Sequence, residues 1–378
     1  MGFFSRNPPR FPLRSLSAYR TLARKRLPKQ IFDYIDGGAT EEITKNRNKS
    51  DYQKIHFRKR VMKDISLIET ETEILGQKMA MPLILGPVGF SGVFAKRGEI
   101  QAAKAAEAAH IPFTLSTMAI CSIEEVREAV AKSFWYQFYF MKDKSYSLEL
   151  LKRAQMARCP VLLVTVDLPI IGMNSRYHRN NMRIFHSLFH LNWFIDVRLR
   201  GGPLTLGNAP KAAKHLKDIS SMREWVGREI SLSTTWKDLD WLRENWPGKI
   251  VLKGVLDLED ARIAASSGVD GIIISNHGGR HFDGTSSTIS LLPKMAETIR
   301  GKITLLIDGG ISSGSDVVKA LALGANGCLI GRAWAFALAA RGETGVREIL
   351  SLFHQEIKVI MANLGCTSIK DVNYLNVF

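Results

Sequence analysis

The chain has 378 residues, 46% of them hydrophobic and 23% charged, a balance that excludes a disordered or fibrous protein and suffices to bury a large core. Its net charge of +16 favours encounters with anions, whether a membrane surface, nucleic acid or small molecules, and says nothing of fold. The four cysteines, Cys121, Cys159, Cys328 and Cys366, stand far apart with no CxxC pair, so neither a disulfide framework nor a metal site is expected.

Met1 to Arg26 is basic and interrupted by Pro8, Pro9 and Pro12, without the continuous apolar core of a secretory signal. Position 6 is Arg6, which breaks a myristoylation pattern. No run of eighteen apolar residues occurs, so no transmembrane helix is expected. A cytoplasmic protein is the expectation, with peripheral contact to the inner face of the cell membrane left open by the charge. Basic residues are spread along the chain without a nucleic-acid module, which argues against nucleic acid as a partner.

Residues 1–80 carry a helical pattern over Leu16 to Arg26 and the stretch Phe32-Asp33-Tyr34-Ile35-Asp36-Gly37-Gly38, and are expected to cap one end of the main domain. Residues 81–378 show strand and helix periodicities in alternation, eight times. Met81–Gly86 precedes a helix over Glu99–His110, Phe113–Ser116 precedes Ile123–Ala131, and Phe134–Tyr139 precedes Ser147–Arg158. Val161–Asp167 opens a fourth unit whose helix is delayed to Trp236–Asn245. Ile250–Lys253, Gly271–Asn276 and Ile303–Asp308 are followed by helices over Leu258–Ser267, Ser290–Arg300 and Ser315–Leu323, and Gly327–Ile330 by one beginning near Glu343. Such a pattern closes most economically as an α/β protein of (β/α)8 TIM-barrel type, with a doubly wound open sheet as the alternative.

Residues 172–235 form a long insertion after the fourth strand. Phe185, Leu188, Phe189 and Trp193 recur there at helical spacing, flanked by Arg179, Arg183, Arg198 and Arg200. That pattern suits a basic amphipathic helix, resting either on anionic lipid or on its own barrel.

In a barrel of this kind, function collects where strands end. The polar residues at those positions are Tyr139, Asp167, Lys253, Ser275 to Arg280 and Asp308. A lysine at the end of an apolar strand needs an anion. His277 is a candidate base, Asp167 a group able to charge-stabilise it, and Arg280 a guanidinium suited to two-point carboxylate binding. Asp308-Gly309-Gly310 and Gly331-Arg332 follow the last two strands, where backbone N–H groups often hold a phosphate.

Ser275-Asn276-His277-Gly278-Gly279-Arg280, with Leu252-Lys253-Gly254-Val255 and Thr165-Val166-Asp167, resembles the FMN-dependent L-2-hydroxy acid dehydrogenase/oxidase family from about Leu16 to Gly365. Within that family the likeness is greatest to bacterial L-lactate dehydrogenases, through Tyr34-Ile35-Asp36-Gly37-Gly38-Ala39 and Pro112-Phe113-Thr114-Leu115-Ser116-Thr117. The resemblance implies FMN as cofactor and oxidation of a small L-2-hydroxy acid, L-lactate first, to the 2-oxo acid. Electrons would pass on to a quinone or another acceptor, and the enzyme would be a homo-oligomer, a tetramer in relatives. His277 would be the active-site base, Asp167 its stabiliser, and Arg280 with the Tyr34 hydroxyl the carboxylate clamp. Tyr139 would bond near the substrate hydroxyl, Met118 would face the substrate side chain, and Lys253 would stabilise the charge the flavin gains on reduction. Pro87, Val88, Gly89, Ser116, Gln137, Thr165 and Ser275 would hold the ring; Asp308, Gly309, Gly310, Ser312, Gly331 and Arg332 would hold the ribityl and phosphate ends.

Two positions depart from the family pattern. Asn174 stands where the family has an arginine close to the histidine, with Arg176 or Arg179 as possible replacements, and Ser312 stands where it has an arginine toward the phosphate. A larger 2-hydroxy acid or a modified substrate is the alternative that Asn174 suggests, and weaker FMN retention is the expectation from Ser312. A binding protein without catalysis is disfavoured because His277, Arg280, Lys253, Asp167, Tyr34 and Tyr139 all remain.

Overall fold

Alternating inward and outward side chains on eight short strands organise the molecule. The computed structural model describes residues 13–378 except 169, 171–175, 177–189, 203, 211–212, 214, 217–218 and 300. A hairpin, β1 (Thr72–Ile74) and β2 (Gln77–Met79), precedes β3 (Leu83–Leu85), β4 (Thr114–Ser116), β5 (Trp135–Phe138), β6 (Val161–Thr165), β7 (Lys249–Val255), β8 (Gly271–Ile274), β9 (Thr304–Ile307) and β10 (Gly327–Ile330). Strands β3 to β10 pair in parallel in the order β3-β10-β9-β8-β7-β6-β5-β4. A parallel bridge between Leu85 and Phe113 joins the two ends, so the sheet closes as a (β/α)8 barrel.

Because both faces of these strands are covered, they read as nearly unbroken apolar runs. Ile84, Trp135, Val161, Leu163, Val251, Ile273, Leu306 and Leu329 fill the barrel interior together with Ile74 and Met79 of the hairpin, all buried. Their chain neighbours Leu85, Tyr136, Leu162, Leu252, Ile272 and Ile307 face the helices. The hairpin plugs the amino-terminal end: Trp135 Nε1 donates to Gln77 Oε1 at 3.0 Å, and a Cβ on Gly327 would lie 2.5 Å from Ile74. Counting two residues on from Trp135, Leu163, Val251, Ile273 and Leu306 gives Gln137, Thr165, Lys253, Ser275 and Asp308. Strand parity alone therefore turns these five polar residues into the carboxyl-terminal mouth.

Helices α1 (Leu16–Arg26), α2 (Lys29–Asp36) and α3 (Ile43–Gln53) belong to that mouth, where Tyr34 and Lys45 line the same cavity as the strand-end residues. Helix α1 is fastened by Tyr19, whose hydroxyl donates to Glu348 at 2.9 Å. The segment before residue 81 thus reaches both barrel ends, rather than one. Helices α2, α3 and Ile219–Glu229 are not among the helices the sequence predicts, although α2 carries a marked apolar stripe. The last helix starts at Arg332 and runs to Leu364, instead of starting near Glu343. Its first stretch, Ala333–Ala340, is buried and helical, and the break falls at Arg341–Gly342, where Gly342 takes φ +61°.

In the insertion, Trp193 is buried and its Nε1 donates to the Val93 carbonyl at 2.9 Å. That side chain covers its own barrel. Arg198, Leu199 and Arg200 are exposed, whereas Arg179, Arg183, Phe185, Leu188 and Phe189 lie outside the described residues. Among the described residues, no helix is long and apolar enough to cross a membrane.

Truncating the interior layer tests this packing. Ile273→Ala is expected to lower unfolding free energy by about 2–5 kcal/mol, read from the midpoint of urea denaturation. Val359→Ala, on the exposed face of the last helix, should leave that midpoint nearly in place.

Candidate active site

Strand ends, cap and the α3 region enclose one cavity of about 810 Å³. At its inner edge lies Lys253, buried, with Nζ 2.8 Å from Ser275 Oγ and 3.1 Å from Asp308 Oδ2. Burial pulls the ammonium's pKa down, but Asp308 and Asp167 outweigh that and hold it above the usual lysine value. The lysine is therefore a fixed cation. Ser275 Oγ also accepts from the His277 N–H at 3.0 Å, so one hydroxyl sets both groups.

His277 Nδ1 lies 3.0 Å from Asp167 Oδ1. A carboxylate needs a donor there, which leaves Nε2 as the lone-pair nitrogen. Burial would push Asp167 up, yet His277 and Lys253 hold it below the usual carboxylate range. Space for this aspartate comes from a bulge in β7: Gly254 sits at φ +115°, and a Cβ there would meet Asp167 Cβ at 2.4 Å. No side chain fits at that position without displacing the His277 partner.

Arg280 is bound from the cap. Its Nη1 donates to the carbonyls of Tyr34 and Ile35 at 2.7 and 3.2 Å, and its guanidinium lies 4.8 Å from the centre of the Tyr34 ring. Burial, reinforced by Arg223, holds its pKa below the usual arginine value, against Tyr34, which raises it. Tyr139 is buried in the same wall, and burial together with Asp167 and Tyr34 pushes its phenol up. Met118 and Gly89 adjoin Tyr34 in the cavity lining, with Pro87 and Val88 beside them.

Toward the other end, Gly309 and Gly310 adopt φ +90° and +86°, and the backbone at Gly331 is bare, with Val88 Cγ2 3.7 Å from where a Cβ would be. Ser312 gives both its N–H and its hydroxyl to Asp316 Oδ2, at 2.8 and 2.9 Å. Arg332 donates to the carbonyls of Ile35, Gly278 and Gly37 at 3.1, 2.8 and 2.8 Å. Both side chains, assigned by resemblance to the phosphate end, are thus engaged with the protein here. Burial and Arg280 bring the Arg332 pKa down to about 9 against the pull of Asp36 and Glu42.

Several members escaped sequence reasoning. Asp36 is buried and grips Arg20 through two bonds, at 2.6 and 2.8 Å, and Arg176 at 2.8 Å. Arg176 also reaches Glu42 at 2.5 Å, and Glu42 holds Lys45 at 2.7 Å. Arg176 is therefore tied to the cap, while Asn174 and Arg179 lie outside the described residues. Asn48 and Asn276 exchange two amide bonds of 2.7 Å, and His281 stacks edge-on against His277 with ring centres 4.4 Å apart. Three of these carried a signal: Asn276 as part of the motif after β8, Asp36 within the Tyr34–Ala39 stretch, and Arg176 as a possible replacement for the arginine missing at Asn174.

A His–Asp pair beside a buried guanidinium, with a long glycine-walled cleft running on from it, defines a (β/α)8 enzyme that handles an acid next to a larger cofactor. Residues 23–377 match the FMN-dependent dehydrogenase family. The L-lactate dehydrogenase of Serratia proteamaculans (strain 568) is 45% identical over 363 residues, covering 94% of this chain and 96% of that protein. The L-lactate dehydrogenase of Yersinia pestis (strain Pestoides F) is 44% identical over 363 residues, with 94% and 95% covered. Among solved structures, the monotopic membrane protein (S)-mandelate dehydrogenase superposes with a TM-score of 0.91 at 34% identity, covering 97% of this chain and 99% of that one. A mandelate oxidase with (S)-4-hydroxymandelic acid gives 0.87 at 33% identity, with 97% and 98% covered. The chain belongs to the FMN-dependent dehydrogenase family and is an FMN-dependent 2-hydroxy acid dehydrogenase, an oxidoreductase acting on CH–OH groups.

The cavity suits that cofactor. Gln137 Oε1 accepts from Ser116 Oγ at 3.0 Å, whereas its buried Nε2 and the buried Asp308 Oδ1 have no partner among the described residues. A donor and an acceptor are thus left over in a wall that a heteroaromatic ring and a polyol chain would cover.

The Asp36 network has a pH signature. Burial alone would raise this carboxyl, but Arg20, Lys45 and Arg176 bring it down to about 2. A depressed native value means stability that is present above pH 4 and lost as pH falls toward 2. Asp36→Asn should therefore lower stability at pH 6 by about 2 kcal/mol and flatten the acid limb of a stability–pH curve measured by denaturant titration.

Proposed function

We propose that the enzyme oxidises a small L-2-hydroxy acid, L-lactate foremost, to the 2-oxo acid, with His277 as base. The observation that carries this is the His277–Asp167 pair at 3.0 Å, in a cavity it shares with Arg280, Tyr34 and Tyr139. FMN, when bound, accepts the two electrons that leave the substrate's C2. His277 Nε2 takes the proton lost by the substrate, and Asp167 stabilises the imidazolium that results. Arg280 pairs with the substrate carboxylate through nitrogens other than the Nη1 that the cap engages, and Tyr34 and Tyr139 offer phenol hydroxyls beside it. Met118 bounds the side-chain space. Pro87, Val88, Gly89, Ser116, Gln137, Thr165 and Ser275 would hold the ring, and Lys253 sets a permanent positive charge against it. Asp308, Gly309, Gly310, Ser312, Gly331 and Arg332 form the far end.

A larger 2-hydroxy acid is the second reading, favoured by the high superposition on mandelate enzymes. Quinone as electron acceptor, peripheral attachment to an anionic membrane and a homotetramer complete the proposal. Support for attachment comes from the relative described as monotopic and from exposed Arg198, Leu199 and Arg200 on the insertion.

The purified protein should be yellow, and anaerobic L-lactate should bleach it faster than mandelate does. Reoxidation by a quinone carried in anionic vesicles should outpace reoxidation by oxygen. A yellow protein that no L-2-hydroxy acid bleaches would sink the assignment. His277→Gln should keep its flavin spectrum and lose about 10²–10⁴-fold in the rate of bleaching, measured by stopped-flow absorbance.

A further inference from the structure

We propose that α3 forms part of the cofactor site, with Lys45 and Lys49 supplying the positive charge that faces the phosphate of FMN. The inference rests on the family's cofactor and not on the choice of substrate.

Helix α3 lies directly on the turn that follows β9. A Cβ on Gly310 would stand 2.1 Å from the Asn48 carbonyl oxygen, and one on Gly309 would stand 3.3 Å from Asn48 Nδ2. Both glycines have left-handed φ, so helix backbone and turn backbone meet with no side chain between them. Asn48 also joins Asn276 through its amide and accepts from the Thr288 N–H at 3.3 Å. The helix backbone is therefore held against the turn at Asn48.

Lys45 and Lys49 are four residues apart and share a face of α3. Both line the cavity, together with Gly309, Gly310, Ser312 and Arg332. Ser312 is engaged by Asp316, and all three guanidinium nitrogens of Arg332 are engaged by carbonyls. This corner is rich in cations: Asp36 and Glu42 interact with Arg20, Lys45, Arg176 and Arg332, and Asp308 acts on Arg332 as well. A phosphate monoester, which carries about −1.5 to −2 at neutral pH, would complement them. Lys45, with its side chain 17% exposed, has its Glu42 partner shared with Arg176. An anion arriving over Gly309–Gly310 would meet its remaining donors, with Lys49 at the rim.

Affinity for FMN compared with riboflavin, which lacks the phosphate, isolates this contribution. Full-length protein freed of flavin is titrated with each flavin, following quenching of flavin fluorescence, for wild type, Lys45→Met, Lys45→Arg, Lys49→Met and the double methionine variant. The double variant should bind FMN about tenfold or more weakly, riboflavin affinity should be unchanged, and Lys45→Arg should stay close to wild type. Lys49 is exposed, so Lys49→Met folds and reports on its own, with a smaller loss confined to FMN. Unchanged FMN affinity in the double variant overturns the proposal, as does an equal loss for both flavins, which would mark the lysines as packing residues. If wild type quenches neither flavin, the cofactor assignment falls and the proposal with it.

Discussion

Everything at the mouth of this barrel depends on strand alternation in a closed sheet. Once Leu163, Val251, Ile273 and Leu306 are packed inward, the next inward positions are Thr165, Lys253, Ser275 and Asp308, and no rotation of a strand can free them separately. Closure through the Leu85–Phe113 bridge removes the freedom an open sheet would keep at its edges. A lysine buried in such a place would be expelled or neutralised without partners. Here Asp308 and Asp167 keep it charged, and Ser275 links it to the backbone of His277. The histidine and the lysine are thus parts of one hydrogen-bonded unit.

The cap is the second half of the site. Arg280 and Arg332 both donate to backbone carbonyls of the stretch from Tyr34 to Gly37, and Asn48 meets Asn276. Two cations that line the cavity thus also hold the N-terminal helices to the barrel. The Asp36–Arg20–Arg176 cluster extends this to the insertion, since Arg176 lies within it.

How much could be read beforehand follows from the range of each signal. All eight strands were legible because buried parallel strands leave apolar runs with glycine or polar stops. Their ends marked Lys253, His277 and Asp308 by position. Helix α3 was not legible: its sequence, Ile43–Gln53, is polar with little amphipathic contrast, because its buried positions are Thr44, Asn48 and a single aromatic, Tyr52, instead of an apolar stripe. The start of the last helix was missed because Ala333–Ala340 follows β10 without a loop. Asp36 stood in the Tyr34–Ala39 stretch with no role of its own; that role is set by Arg20 and Arg176, sixteen and 140 residues away.

The sequence by itself determined the architecture and the chemical identity of the strand-end residues, because periodicity is local and a closed parallel barrel orders its strand ends automatically. Tertiary structure alone decided which donors are spent and which remain. Arg332 and Ser312 hold protein groups, Gly254 opens room for Asp167, and α3 sets Asn48 against Gly309 and Gly310. Those facts depend on distances between segments far apart in the chain, and no local pattern records such distances.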